Sequence, residues 1–305
     1  MGDPARERTL SPPGPSGSTG SSASEGGGLV PRDLEATIVL VRHGESTYIE
    51  EGRFQGQAET PLSSLGRRQA ERVADRLAHP GASPALPIPT RPPLEIVHSP
   101  LGRATETASA IAAAIAAGDA FGQAIPVRPD AGLLEIGQGE WEGLHHTEIA
   151  TRWGDILGTW RRRPLEACAP GGESIPEVQA RVRRSLDGLI GRLAASAGES
   201  PLVDSSGDRP ADRSPVAGYR TEQADQPWSV VVGHDGVFKV LLLTLFDLPL
   251  ERFWMWSFDL CGLTVIELRS GRATLRAVNL TEHLAPLLDA AAREATEERQ
   301  RSGAL

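Results

Sequence analysis

Several residue types are scarce in this chain, and each shortage narrows what it can be. Only two of its 305 residues are cysteines, Cys168 and Cys261. They lie far apart with no metal-ligand spacing, which argues against a disulfide framework or a zinc module and points to a reducing, cytoplasmic setting. Lysine is almost missing: Lys239 is the only one, and every other basic side chain apart from histidine is an arginine. The net charge of −9 argues against nucleic acid or an anionic membrane surface as the main partner. Long apolar runs are absent too. The longest, residues 110–117 and 240–246, are far too short to span a bilayer. Arg6 and Arg8 are followed by no apolar stretch of the kind that makes a secretion signal.

What remains, 39% hydrophobic residues, is enough for a substantial core. Residues 1–35 are rich in Gly, Ser and Pro and read as a disordered tail. Residues 36–290 read as one domain, interrupted by a mobile polar insertion at about 198–226, and residues 291–305 as a frayed end. Within the domain, apolar stretches at 37–41, 94–98, 125–127 and 228–232 predict strands, with Pro126 placing the third at an edge. Helical spacing follows Ser63 or Ser64, runs from Ser99-Pro100 to about Ala117, spans 147–162, and returns after Ser174, which has capping-box spacing to Glu177. Residues 237–246 predict a buried helix, 263–268 and 273–278 a strand pair around Ser270-Gly271, and the segment from Thr281 a helix. The alternation implies an α/β three-layer sandwich: a mostly parallel central sheet with helices on both faces.

In such sheets ligands gather beyond the carboxyl ends of the strands. Three predicted strands end at Arg42-His43, at Ser99 shortly before Arg103, and at Gly233-His234. Two histidines and two arginines at one sheet edge suit a phosphoryl group. Arginine forks neutralise and orient its oxygens, one imidazole can attack phosphorus, and a protonated second one can stabilise the growing charge. The leaving alcohol needs a proton, for which Glu135 and Glu140 are candidates.

The residues VRHGES at 41–46, RFQGQAETPLSSLGRRQA at 53–70, HSPLGRATETA at 98–108, LLEIGQGEWEG at 133–143, PGGES at 170–174 and VVGHDG at 231–236 occur in an order that resembles the histidine phosphatase superfamily, in its phosphoglycerate-mutase-like branch. That resemblance implies a phosphorylated nucleophile at His43, phosphate clamps at Arg42 and Arg103, a pocket completed by His234, and the acid at Glu135. It also implies that Gln55 reaches the phosphate and that Gly56 lets the backbone approach. Glu140 and Glu142 are expected to support the loop. Where the family often has a phosphate-contacting asparagine, six residues past the nucleophile, this chain has Ile49, and Thr47 is the nearest substitute.

The implied activity is hydrolysis of small phosphorylated metabolites through a phosphohistidine, needing no cofactor and no metal. The loop at 133–143 is similar to those of broad-specificity and ribazole-phosphate phosphatases, which favours hydrolysis over the alternative of a phosphoglycerate mutase. A catalytically silent phosphosugar-binding scaffold is a third reading. His79, His98, His145, His146 and His283 are expected to be ordinary surface or capping residues. Phe253, Trp254, Trp256 and Phe258 are expected in the core or at an interface, with a homodimer contact as one outcome.

Overall fold

Strand β1 (Glu35–Arg42) is buried on both faces: Ile38 and Leu40 enter one hydrophobic cluster, and Val39 and Val41 enter another. A strand of alternating side chains that buries both sets must lie inside a three-layer structure. The structure is a computed structural model and describes residues 28–199 and 225–288. After β1 come a one-turn helix α1 (Thr47–Glu50), α2 (Ser64–Ala78), β2 (Ile96–His98), α3 (Gly102–Ala117), β3 (Val127–Pro129), α4 (His146–Arg162), α5 (Ile175–Glu199), β4 (Trp228–Gly233), α6 (Asp235–Leu245), β5 (Leu263–Arg269) and β6 (Arg272–Leu280). The six strands form one sheet in the order β3-β2-β4-β1-β5-β6. The first four run parallel, while β5 pairs antiparallel with both β1 and β6. Helices α2 and α3 cover one face, with Val73, Leu77, Ala104 and Ile111 against Val39, Val41 and Val230. On the other face α5 and α6 place Val178, Val182, Leu186 and Leu241 against Ile38, Leu40 and Val231.

Local chemistry explains where these elements start. Ser63 caps α2 by accepting from the Gly66 N–H at 3.0 Å. At the head of α5, Glu177 reaches back to the Ser174 N–H at 2.8 Å, the carboxylate half of a capping box. The β5–β6 hairpin turns on Ser270 and Gly271, both at positive φ (51° and 75°), the region that two-residue hairpin loops favour.

Several expectations need correction. Val30 and Leu34, inside the stretch read as a tail, are buried in the main core, so ordered packing starts ahead of residue 36. The strand expected at 125–127 is shifted to Val127–Pro129; it is an edge strand, which is where a sheet tolerates proline. Helix α4 bends at Trp153, whose backbone is non-helical. The segment after Thr281 opens with a 3-10 turn, Glu282–Leu284, before the expected helix begins over 285–288. His98 and His283 are buried rather than at the surface: their rings bond the carbonyls of Ser99 and Cys261. The rest of the expected tail, most of the polar insertion and the C-terminal end fall at 1–27, 200–224 and 289–305, outside the described residues.

Candidate active site

The parallel strands β2, β4 and β1 are neighbours, so their carboxyl ends lie side by side. Backbone hydrogen bonds carry the sheet pattern past those ends: the His43 N–H donates to Gly233 O at 3.0 Å, and the Ser99 N–H to Val232 O at 2.9 Å. The three exits read from the sequence therefore form one edge. His43 and His234 meet there with ring centroids 4.9 Å apart, edge to face.

His43 is buried, and its Nδ1 lies 2.6 Å from Gly44 O. A carbonyl only accepts, so Nδ1 carries the proton and Nε2 keeps the lone pair of the neutral ring. Burial, then the charges of Arg103 and Arg42, hold the His43 pKa well below its ordinary 6.5, against a smaller opposing effect of the Gly44 carbonyl. A neutral imidazole is the form a nucleophile needs. His234 is depressed in the same direction, by burial first and then by His43, Arg103 and Arg42. Without an anion beside it, this environment favours its neutral form. A phosphate dianion placed against it would act in the opposite sense. Ser99 Oγ sits 2.8 Å from His234 Nε2 while accepting from the Leu101 N–H at 3.4 Å. Its hydroxyl can donate to Nε2, leaving Nδ1 as a free donor.

Arg103, in the first turn of α3, is fully buried. Its guanidinium donates to Ala58 O at 2.9 Å, Gly56 O at 2.8 Å and Thr60 Oγ1 at 3.4 Å. Loss of water brings its pKa down to about 10, with Glu135, Glu59 and Glu142 opposing. Arg42 is fixed by Phe258 O at 2.6 Å. Among the described residues, three buried donors at this edge have no partner: Arg42 Nε, Arg103 Nε and His234 Nδ1. Orphaned buried donors are rare and destabilising unless a ligand meets them.

Glu135 reaches the same place from the loop after β3. Its Oε1 accepts from the Ile136 N–H at 2.8 Å and the Val237 N–H at 3.0 Å, and its Oε2 from the Gly236 N–H at 3.2 Å. It thus satisfies two of the open N–H groups at the head of α6. Removal from water raises its pKa, Asp235 adds to the rise, and the backbone donors and Arg103 oppose it. A carboxyl shifted upward is suited to carry a proton.

Gln55 and Gly56 also arrive. Gln55 Oε1 accepts from Ser46 Oγ at 2.5 Å and Thr60 Oγ1 at 3.1 Å, which turns its amide N–H groups outward as donors. Gly56 has φ of +52°, and a Cβ there would lie 2.1 Å from Glu142 Oε1. Its contribution is a carbonyl for Arg103 as well as a close backbone approach. Arg42, Gln55, Gly56 and Glu135 line a cleft of about 340 Å³, together with Phe54, Trp160, Phe253, Trp254, Asp235 and Lys239 among others. Ile49 and Thr47 are not part of that lining. The Ile49 N–H is spent on Ser46 Oγ, the N-cap of α1, so the departure from asparagine leaves the backbone satisfied. Among the described residues no three His, Cys, Asp or Glu side chains gather in a way that could hold a metal ion.

Sequence reasoning missed several participants. Ser99 holds His234, Ser46 and Thr60 orient Gln55, and Gln57, Glu173 and Arg181 brace the Glu135 loop. The aromatic residues 253 and 254 are not only core: Trp254 is exposed and both line the cleft. Glu142 supports the loop as expected, accepting from the N–H groups of Gln57 and Gln138. Arg53 bonds Glu51 and Gly143 O.

Comparison with known proteins gives this geometry a family. Residues 38–199 and 214–281 match the histidine phosphatase superfamily, branch 1. The chain belongs to that superfamily. It is 33% identical over 216 residues, 71% of this chain and 76% of the relative, to glucosyl-3-phosphoglycerate phosphatase of Mycolicibacterium vanbaalenii. It is 25% identical over 251 residues, 81% of this chain and 93% of the relative, to phosphoserine phosphatase 1 of Hydrogenobacter thermophilus. The solved structure of Bacillus stearothermophilus YhfR superposes with a TM-score of 0.61 at 25% identity, covering 82% of this chain and 99% of that one. These relationships place the chain among the phosphatase enzymes of the superfamily. Among the described residues no helix is long and apolar enough to cross a membrane.

Proposed function

We propose that the chain is a phosphomonoesterase that hydrolyses small phosphorylated metabolites through a covalent phospho-His43. The observation that carries this reading is the set of buried donors without partners, on Arg42, Arg103 and His234, beside a neutral imidazole whose Nε2 is free. Phosphate oxygens would satisfy the donors, and the imidazole would attack phosphorus.

The reaction follows from the roles of these side chains. The His43 Nε2 lone pair forms the N–P bond as the bond from phosphorus to the leaving oxygen breaks, while the protonated Glu135 carboxyl gives that oxygen its proton. Arg42, Arg103, Gln55 and His234 meet the charge on the equatorial oxygens. Water then attacks the phosphohistidine. Glu135, now a carboxylate, takes a proton from it, so phosphate leaves and both residues return to their starting forms.

The test is p-nitrophenyl phosphate hydrolysis by the wild type and by His43→Ala, with trapping of an acid-labile, base-stable phosphoprotein during turnover. Loss of both turnover and label in the variant is expected; undiminished hydrolysis would overturn the assignment.

A further inference from the structure

Lys239 is the only lysine of the chain, yet it is buried, and it lines the same cleft as Arg42 and Glu135. It lies in α6, four residues past Asp235, and its Nζ donates to Asp235 Oδ2 at 2.6 Å. Asp235 is itself held, accepting from the Phe258 N–H at Oδ1 at 3.0 Å. The ammonium also lies 4.8 Å from the centroid of the Trp254 ring and 5.5 Å from that of Phe253. Ring faces stabilise a cation without accepting its protons strongly. Of the three N–H groups on Nζ, one has an acceptor among the described residues.

The phosphoryl group is already met by two arginines, whose planar forks match its oxygens. Lys239, a cation of the compact single-point kind that shares the cleft with Arg42, is not needed for it. What Lys239 can meet is a second, singly charged anion on the part of the substrate that leaves. Phe54, Trp160, Phe253 and Trp254 give that part an apolar wall, against which an ammonium that keeps two N–H groups beyond its pair with Asp235 is a selective mark.

We propose that Lys239 selects the leaving group, favouring phosphomonoesters whose alcohol carries a carboxylate. The proposal rests on the phosphatase reading above. In that arrangement the phosphate sits at the strand ends with His43, the ester oxygen faces Glu135, and the carboxylate accepts from Lys239.

The test compares pairs of substrates that differ at one group: 3-phosphoglycerate with glycerol 3-phosphate, and O-phosphoserine with phosphoethanolamine. In the wild type, kcat/KM should favour the carboxylated member of each pair by roughly ten- to hundredfold, the range of one charge-assisted hydrogen bond. Lys239→Met should bring the ratio to about one, and Lys239→Arg should restore part of it. Because Lys239 is buried, the methionine variant can fail to fold; the wild-type ratios then decide alone. Ratios near one in the wild type, or ratios unchanged in a folded Lys239→Met, overturn the proposal and leave the phosphatase reading standing. Failure to hydrolyse any of the four and p-nitrophenyl phosphate as well overturns the phosphatase reading, and the proposal with it.

Discussion

Gly236 gives its N–H to Glu135 Oε2 at 3.2 Å, and a Cβ at that position would lie 2.6 Å from Glu135 Oε1. The acid is thus seated by a residue that must lack a side chain. Gly236→Ala should push the carboxyl away from the leaving group and reduce kcat by about 10²-fold, the lower end of what a general acid supplies. The same methyl meets Ile136 at 2.9 Å, so overpacking of about 1–3 kcal/mol is expected as well. Steady-state kinetics on an alkyl phosphate, alongside thermal melting, separates the two effects; an unchanged kcat would show that Glu135 does not supply the proton.

The pH dependence should have two limbs with different owners. His43 must be neutral to attack, and its depressed pKa moves the acid limb well below 6.5. Glu135 must be protonated to assist departure, and its raised pKa sets an alkaline limb that a poor leaving group reveals. Glu135→Gln should abolish that alkaline limb and slow alkyl phosphates far more than p-nitrophenyl phosphate, whose leaving group needs little protonation. Stability has its own sign. For His43 and His234 the folded pKa lies below the unfolded one, so the unfolded chain takes up protons first as pH falls through 6.5, and stability drops from there toward the folded pKa values. Glu135 works in the other direction, its contribution being lost as pH rises through its raised folded value. Melting temperatures between pH 7.5 and pH 5, with His234→Gln flattening the decline, check the histidine part.

Much of this site could be read before the structure because its parts sit where the chain changes period. The β-branched run ending at Arg42 and the one ending at Gly233 each stop at a histidine, and sheet topology makes such ends converge. Glu135 was separated from Glu140 only by resemblance, since nothing in a glycine-punctuated loop says that its carboxylate will dock on the N–H groups of Gly236 and Val237. The supporting residues were illegible for the same reason. Arg181 is 46 positions from Glu135 and bonds its carbonyl, a relation no local pattern encodes. The Asp235 to Lys239 spacing of four is that of a helical ion pair. What was not visible is that the pair faces the cleft rather than solvent, because that depends on how residues 250–258 fold over α6. The same limit hid the place of Trp254 in the cleft lining.

Arg103 should be intolerant of lysine. Its guanidinium spans Gly56 O, Ala58 O and Thr60 Oγ1 at once, and an ammonium has neither the reach nor the fork to do so. Arg103→Lys leaves buried carbonyls unmet, at roughly 1–3 kcal/mol, and weakens phosphate binding. A lower melting temperature together with a raised KM, and weaker inhibition by inorganic phosphate, is the expected result. Unaltered phosphate inhibition would remove Arg103 from the clamp.

Arg181 tests whether the acid is held from behind. It donates to the carbonyls of Gly132, Leu134 and Glu135 at 2.9, 2.7 and 3.0 Å, and is pinned by both oxygens of Glu173. Gln57 Nε2 bridges the Glu135 carbonyl and Glu173 as well, at 3.0 and 2.9 Å. None of these side chains needs to touch substrate, so their effect must pass through the placement of Glu135. Arg181→Met should therefore lower kcat for alkyl phosphates by about tenfold or more, while leaving KM and phosphate inhibition near wild type. A general loosening of the fold would instead affect p-nitrophenyl phosphate and alkyl phosphates equally. Glu173→Gln keeps the acceptor oxygen for Arg181 but weakens the pair, and should fall between the two. If Arg181→Met slows both substrate types by the same factor, the brace acts on stability alone and Glu135 finds its position without it.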